Sequence, residues 1–382
     1  MVTDVVVVGA GYAGVMAANR LVSKGDGRVR VTVVNPRAEF VERIRLHQLA
    51  AGTGDAVAPL ASVLDPRVGL RISAVTRIVG NSVPLPDGGE LGFDRLVYAV
   101  GSRSAVREQA HTVGDLAGAQ RLRRRLRELD AGDPVTVVGA GLTGVETAAE
   151  IAESHPHLAV RLLSAGPIGG GLPERGRRRV RARLRRLGVE VRTGVRAERV
   201  GSDSVDLDDG TALPSACTVW AGAFEVPDLA RTSGLPVDAA GRLRTDESLV
   251  CVERPDIVGV GDAVAPPRRV AAHLRMSCQA AIPLGATGAD TVLAQIDGRA
   301  PEPLSIGMVL QCISLGRRGG YVQTVRADDS ARRWAVRGRL GASVKEQICR
   351  GTLRYIRSGD YRWAGGPRAG LDETDTGARV PS

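Results

Sequence analysis

The sequence predicts an α/β fold, and three observations carry that reading. Residues 5–8 are four consecutive valines, a β-branched run suited to a buried parallel strand. The run ends directly in Gly9-Ala-Gly11-Tyr-Ala-Gly14, and residues 13–21 can continue as a helix. The same order recurs at residues 135–144, Val-Thr-Val-Val-Gly-Ala-Gly-Leu-Thr-Gly, which sets Gly9 and Gly139 130 residues apart. Packing alone explains one glycine-rich strand end easily and two of the same spacing badly.

Both stretches fit G-x-G-x-x-G. The first glycine permits a tight turn, the second lets a pyrophosphate approach the backbone, and the third lets helix pack on strand. The phosphates would sit at the helix N-terminus, where free N–H groups and the helix dipole favour anions. Two dinucleotide sites are therefore expected, one at Gly9, Gly11 and Gly14 and one at Gly139, Gly141 and Gly144.

The other elements follow in order. Residues 29–34 read as the second strand of the first unit and end at Asn35, where an acid usually accepts the ribose hydroxyls. Arg43, Arg45 and His47 recur at period two, which suits a cationic lining or a solvated face. Residues 70–79 read as a strand, and residues 84–89 as a turn. Residues 93–101 form an apolar strand ending in Gly101, a pattern that residues 217–222 repeat. Residues 115–129 read as a basic amphipathic helix. In the second unit Glu146 and Glu150 share one helix face, which a solvated surface would explain. Ser164 ends the next strand, where an NAD-preferring site usually places an acid. The helix beyond it carries Arg175, Arg177, Arg178 and Arg179, either a solvated face or a site for an NADP 2′-phosphate. Gly261-Asp262 places an acid just after a buried strand. Residues 273–296 read as a helix interrupted near Pro283. Strands at 309–324 and 334–336 and a helix at 343–356 follow, before a polar tail rich in Gly and Pro.

Composition bounds the function. A chain of 382 residues suffices for two or three domains. No run approaches the ~18 apolar residues of a membrane span, and the first strand begins too early for a signal peptide, so the cytoplasm is the expected location. The net charge is +10, and only Lys24 and Lys345 are lysines among 52 basic residues. That charge suits anionic ligands. Aromatics are only 3%, too few for base-stacking platforms, so nucleic acid is not an expected partner. The five cysteines include no C-x-x-C pair, which excludes a local redox disulfide and a zinc ribbon; no metal site is expected.

Taken together, the motifs resemble those of FAD-dependent pyridine nucleotide oxidoreductases, the flavoproteins with two dinucleotide sites. The resemblance spans residues 1–356 and is nearest to the type II NADH dehydrogenase-like group. It rests on both glycine turns, on Leu96-Val-Tyr-Ala-Val-Gly-Ser102, on Gly-Val-Glu146 after the second turn, and on Val258-Gly-Val-Gly-Asp-Ala263. It implies that Gly9, Gly11, Gly14 and Gly101 cradle FAD, with Asn35 at the adenosine ribose and Val75 at the adenine. Gly261 and Asp262 would hold the ribityl chain. Gly139, Gly141 and Gly144 would bind NADPH or NADH, with Glu146 near the nicotinamide. Gln279 and His47 would line the acceptor side, with Cys278 close by. The chain departs from the group in two places. Pro283-Leu284 stands where paired glutamines meet the quinone, and the anchoring C-terminal helices shrink to one basic segment.

The expected architecture is two Rossmann-like domains and a small C-terminal α+β domain. Residues 1–114 and 245–300 would form a discontinuous FAD domain, 115–244 the NAD(P)H domain, 301–358 the C-terminal domain and 359–382 a flexible tail. The expected activity is hydride transfer from nicotinamide to FAD, then electron transfer to a quinone-type or other small-molecule acceptor. Membrane contact would be at most peripheral, and homodimerisation is left open. Two other readings compete: a flavoenzyme acting on a small biosynthetic metabolite, and a redox-sensing flavoprotein similar to apoptosis-inducing factor.

Overall fold

The computed structural model describes residues 2–367 except Val106 and Ala223. In the first unit, β1 (Thr3–Val8) leads through the glycine turn into α1 (Tyr12–Lys24), then β2 (Val29–Asn35), α2 (Leu46–Ala51), β3 (Gly69–Ile72) and β4 (Arg95–Tyr98). β1 pairs in parallel with β2, Val5 opposite Val31, and with β4, Val8 opposite Tyr98. Val5 to Val8 are buried on both faces, as the valine run requires.

The second unit repeats the plan. β5 (His111–Thr112) and α3 (Leu116–Arg127) precede β6 (Pro134–Val138), α4 (Leu142–Ser154), β7 (Ala159–Ser164), α5 (Glu174–Arg186), β8 (Glu190–Thr193) and β9 (Cys217–Trp220). The Asp115 carboxylate caps α3 by accepting the Gly118 N–H at 2.8 Å. The sheet runs β5-β9-β6-β7-β8, with Val138 opposite both Leu163 and Trp220. The chain then returns to the first sheet. β10 (Val250–Cys251) and β11 (Arg254–Gly259) complete the order β10-β11-β4-β1-β2-β3. Strands far apart in sequence thus share one sheet.

After β11 comes α6 (Cys278–Ile296). It starts five residues later than the expected His273 and is not interrupted at Pro283. The proline removes one N–H near the helix start, and the rest of the 19-residue helix is buried well enough to absorb the loss. Gly285 lets α6 close directly on the Ala13 carbonyl of α1. The chain ends in an antiparallel sheet, β12 (Leu310–Ser314), β13 (Gly320–Val325) and β14 (Ala331–Arg337), followed by α7 (Gly338–Ser358).

The third sheet does not stand alone. Ile313, Leu315 and Tyr321 join the core of the second unit, while Ile356 of α7 joins that of the first. Leu46, Leu49 and Ala50 of α2 also pack into the second unit's core, although α2 belongs to the first by sequence. Two further expectations are corrected, and one left open is settled. The strand expected over 70–79 stops at Ile72. The segment from Arg43, whose spacing suits an extended run as well as a helix edge, is helical, a 3-10 turn running into α2. The expected tail is docked over residues 359–367: Trp363 Nε1 donates to Ser305 O at 2.9 Å, and Gly307 N donates to Ala364 O at 2.7 Å. Its aromatic residues pay for ordering by packing on the α1–α6 core. Residues 368–382 of that tail lie outside the described residues. Among the described residues no helix is long and apolar enough to cross a membrane.

Candidate active site

The two glycine turns have one geometry. Gly9 adopts φ +102° and Gly139 φ +103°, a region closed to other residues without strain. A Cβ on Gly9 would lie 2.5 Å from Ala99 O, and one on Gly139 3.0 Å from Gly222 N. A Cβ on Gly14 or Gly144 would overlap the carbonyl of Gly9 or Gly139. Gly11 and Gly141, by contrast, face open space, with no atom within 4 Å of a built Cβ. Both helices start there with no side-chain cap, which leaves their N–H groups free for an anion. Each turn also sits where its sheet reverses strand order, at the C-terminal ends of the strands. The cradles fit two dinucleotides.

Around the first turn the expected residues are brought together. Asn35 Oδ1 accepts the Ala10 N–H at 3.1 Å, and its amide donates to Arg37 O at 2.7 Å, so it fixes the turn beside the ribose position. Val75 is half-buried against the cluster that contains Val6 and Val34. Gly101 (φ +66°) has open space before it, and Gly261 (φ +81°) meets the Ala13 side chain. The Ser102 hydroxyl donates to Asp262 Oδ2 at 2.7 Å. Arg43 Nη1 donates to Ser102 O at 2.8 Å and stands 4.0 Å from Asp262 Oδ2. Burial pushes the Asp262 pKa up, against the pull of Ser102 and Arg43. Asp262 is therefore a half-buried acceptor held in place, suited to a polyol chain.

The acceptor side differs from expectation. Gln279, with its amide oriented to suit its neighbours, donates to Leu310 O at 2.8 Å and accepts from Val309 N at 3.2 Å. Both amide ends are thus spent on joining α6 to the start of β12, and Gln279 is not in the wall of the cavity beside Lys345. His47 is 4% exposed and its Nε2 has no partner. Burial, then Lys345, Arg317 and Arg45, hold its pKa well below the ordinary value, so it is neutral and cannot act as an imidazolium proton donor. The period-two spacing hid this, because the turn sends Arg43 toward Asp262 and Arg45 toward Glu346. Burial raises the Cys278 thiol to about 12, which removes it as a nucleophile.

Glu146 is buried rather than solvated. Its Oε1 accepts the Ser314 N–H at 2.9 Å and pairs with Lys345 Nζ. Glu150, one turn on, is fully buried and accepts from the Thr53 hydroxyl. Burial lowers the Lys345 pKa to about 8. Glu346, the next residue, is held at about 2 by Arg45, with Arg350 and Arg317 adding to the effect. A cavity of 410 Å³ opens beside Lys345. Its wall includes Cys349 of α7, buried on the same helix as Lys345 and Glu346. The cavity is thus walled by α2, by the turn between β12 and β13, and by α7. Lys345 and Arg317 were not singled out in the sequence. The signal for Lys345 is its rarity, one of two lysines in a chain that otherwise uses arginine.

Comparison with known proteins agrees with this geometry. The pyridine nucleotide-disulphide oxidoreductase family model matches residues 3–285. An NADH dehydrogenase-like protein of Mycobacterium tuberculosis is 32% identical over 352 residues, covering 83% of this chain and 86% of that one. The type II NADH:quinone oxidoreductase Ndh of the same species is 28% identical, covering 68% and 67%. The sulfide:quinone oxidoreductase of Aquifex aeolicus shares the fold at a TM-score of 0.79 and 17% identity, over 94% of this chain and 92% of that one. The paired cradles and these likenesses have one meaning: the chain belongs to the pyridine nucleotide-disulphide oxidoreductase family and is an FAD-dependent oxidoreductase that uses NAD(P)H.

Proposed function

We propose that the protein passes two electrons from NAD(P)H to a small quinone-type acceptor. FAD belongs at Gly9, Gly11, Gly14, Gly101, Gly261 and Asp262, and the nicotinamide nucleotide at Gly139, Gly141 and Gly144. When bound, FAD supplies the hydride-accepting and electron-delivering chemistry. The residues supply the rest: the turns hold the phosphates, Ser102 and Arg43 orient Asp262, and the packed C-terminal sheet excludes water.

One observation carries the reading, the buried Lys345–Glu146 pair, whose lysine lines the 410 Å³ cavity. Reducing a quinone to a quinol takes two electrons and two protons. NAD(P)H contributes both electrons and one proton, and the second proton comes from a donor at the acceptor. Lys345, with a pKa of about 8, is charged at neutral pH and can hand its proton over, to be recharged from solvent through the cavity.

Anaerobic stopped-flow separates the two half-reactions. Flavin reduction by NADH and NADPH should be fast, followed by reoxidation with a soluble naphthoquinone. The reoxidation rate should fall as pH rises through about 8. Lys345→Met should remove that pH dependence and slow reoxidation by about 100-fold. Reoxidation by a ferredoxin or a metabolite, with quinones inert, would overturn the quinone reading.

A further inference from the structure

The 410 Å³ cavity has a charge that a neutral quinone does not need. Its wall includes Gln48, Arg317, Arg318, Arg339, Lys345 and Glu346. Four of these are cations and one is a carboxylate. Glu346 is already shared by Arg45, Arg317 and Arg350, and Lys345 is matched only by Glu146 from behind. Arg318 and Arg339 form no ion pair among the described residues. Both guanidinium groups therefore keep their full charge at the rim of a concave site, where low-dielectric walls focus the field.

The backbone fixes this arrangement. The turn that carries Arg317 and Arg318 has Gly316 at φ +80°, and the Arg318 N–H reaches the Glu153 carboxylate at 3.3 Å. Gly320 and Gly341 lack the Cβ atoms that would force β13 and α7 apart, since a Cβ on Gly320 would stand 2.5 Å from Ala342 N. The turn and the first part of α7 are thereby held together, so that Arg318 from the turn and Arg339 from α7 line the same cavity.

We infer that the acceptor pocket takes a ring-sized acceptor bearing an anionic substituent, a carboxylate or an ionised hydroxyl, which Arg318 and Arg339 bind while the ring enters toward Lys345. Planar guanidinium forks suit such groups, and 410 Å³ accommodates one or two fused rings. The inference rests on the proposed acceptor chemistry but can fail apart from it.

Two measurements on the FAD-loaded enzyme test it. The first compares kcat/KM for 1,4-naphthoquinone-2-sulfonate and for neutral 1,4-naphthoquinone, in wild type and in the Arg318→Gln/Arg339→Gln double variant. The sulfonate-to-neutral ratio should fall about tenfold in the double variant. Taking that ratio between proteins cancels the higher potential of the sulfonate. The second measures binding of redox-inert naphthalene-2-sulfonate from the change in flavin absorbance, and its Kd should rise about tenfold. An unchanged ratio and an unchanged Kd overturn the anionic subsite. If no quinone is turned over while naphthalene-2-sulfonate still binds through the two arginines, the quinone reading fails and the subsite stands.

Discussion

At the first glycine turn Tyr12 and Ala13 are 7% and 5% exposed; at the second, Leu142 and Thr143 occupy the same positions and are half-buried. The backbones match within a degree at the leading glycine, so the difference lies in what covers them. Over the first turn, α6 closes through Gly285 onto Ala13, Gly261 meets the same side chain, and Asn35 accepts the Ala10 N–H. Among the described residues no helix closes over the second turn in this way, and its own helix turns a buried acidic face toward the C-terminal sheet. A closed cradle suits a cofactor that stays and an open one suits a nucleotide that comes and goes. The duplicated motif sets the binding geometry, and the cover sets the residence time.

The largest effect should separate the two turns. Gly14→Ala and Gly144→Ala introduce the same overlap, costing about 1–3 kcal/mol of local strain. Gly14→Ala should yield protein without flavin. Gly144→Ala should remain yellow and lose reduction by NAD(P)H by more than 100-fold. Flavin content by absorbance and single-turnover reduction read the two outcomes. A colourless Gly144→Ala protein would break the comparison, because it would show one cofactor spanning both turns.

Much of this plan was legible in the sequence because glycine spacing and valine runs report backbone geometry, and backbone geometry is local. The two turns and their strands could be read that way, whereas the return to the first sheet near Asp262 was implied by the family resemblance. The acceptor side could not. Glu146 and Glu150 look like a solvated pair until the third sheet covers them, and Gln279 looks free until β12 takes its amide. His47 and Lys345 are 298 residues apart and meet only through the packing of α2 and α7 on the second unit. Contacts of that range leave no period in the sequence.

A middle-sized effect tests the joint between the regions. Glu346 pairs with Arg45, which follows the first turn, and with Arg317 on the third sheet. Its folded pKa of about 2 lies below the ordinary 4.5. A depressed carboxylate pKa stabilises the fold above about pH 4.5, and that stability is lost as pH falls through about 2. The gap in unfolding free energy between wild type and Glu346→Gln should be about 2 kcal/mol at pH 6, allowing for partial exposure, and should close toward pH 2. Denaturant titrations across that range measure it, and a gap that does not vary with pH would place the stabilisation elsewhere.

The smallest effect sharpens the open turn. Ser164 ends β7 where an acid would accept a free 2′-hydroxyl, and that absence favours use of NADPH at least as well as NADH. Of the arginines expected to meet the 2′-phosphate, two are drawn to Glu174 on their own helix. Arg177 pairs with Glu174 and donates to Leu172 O at 3.0 Å, and Arg178 also faces Glu174. Arg175 and Arg179 form no ion pair among the described residues, and their positive charges draw the Tyr321 pKa down against burial. A different arginine is better placed. Val195 N–H donates to Ser164 O at 3.2 Å, which brings the exposed Arg196 next to the end of β7. Arg196 forms no ion pair among the described residues, whereas Arg192 is held by Glu190. An exposed charge pair is worth up to about 1 kcal/mol, so the NADPH-to-NADH ratio of kcat/KM should fall about two- to fivefold in Arg196→Gln. Higher salt should shrink the wild-type ratio in the same direction. A ratio that follows Arg178→Gln instead would return the phosphate to α5 and show that the open turn is read by its own helix.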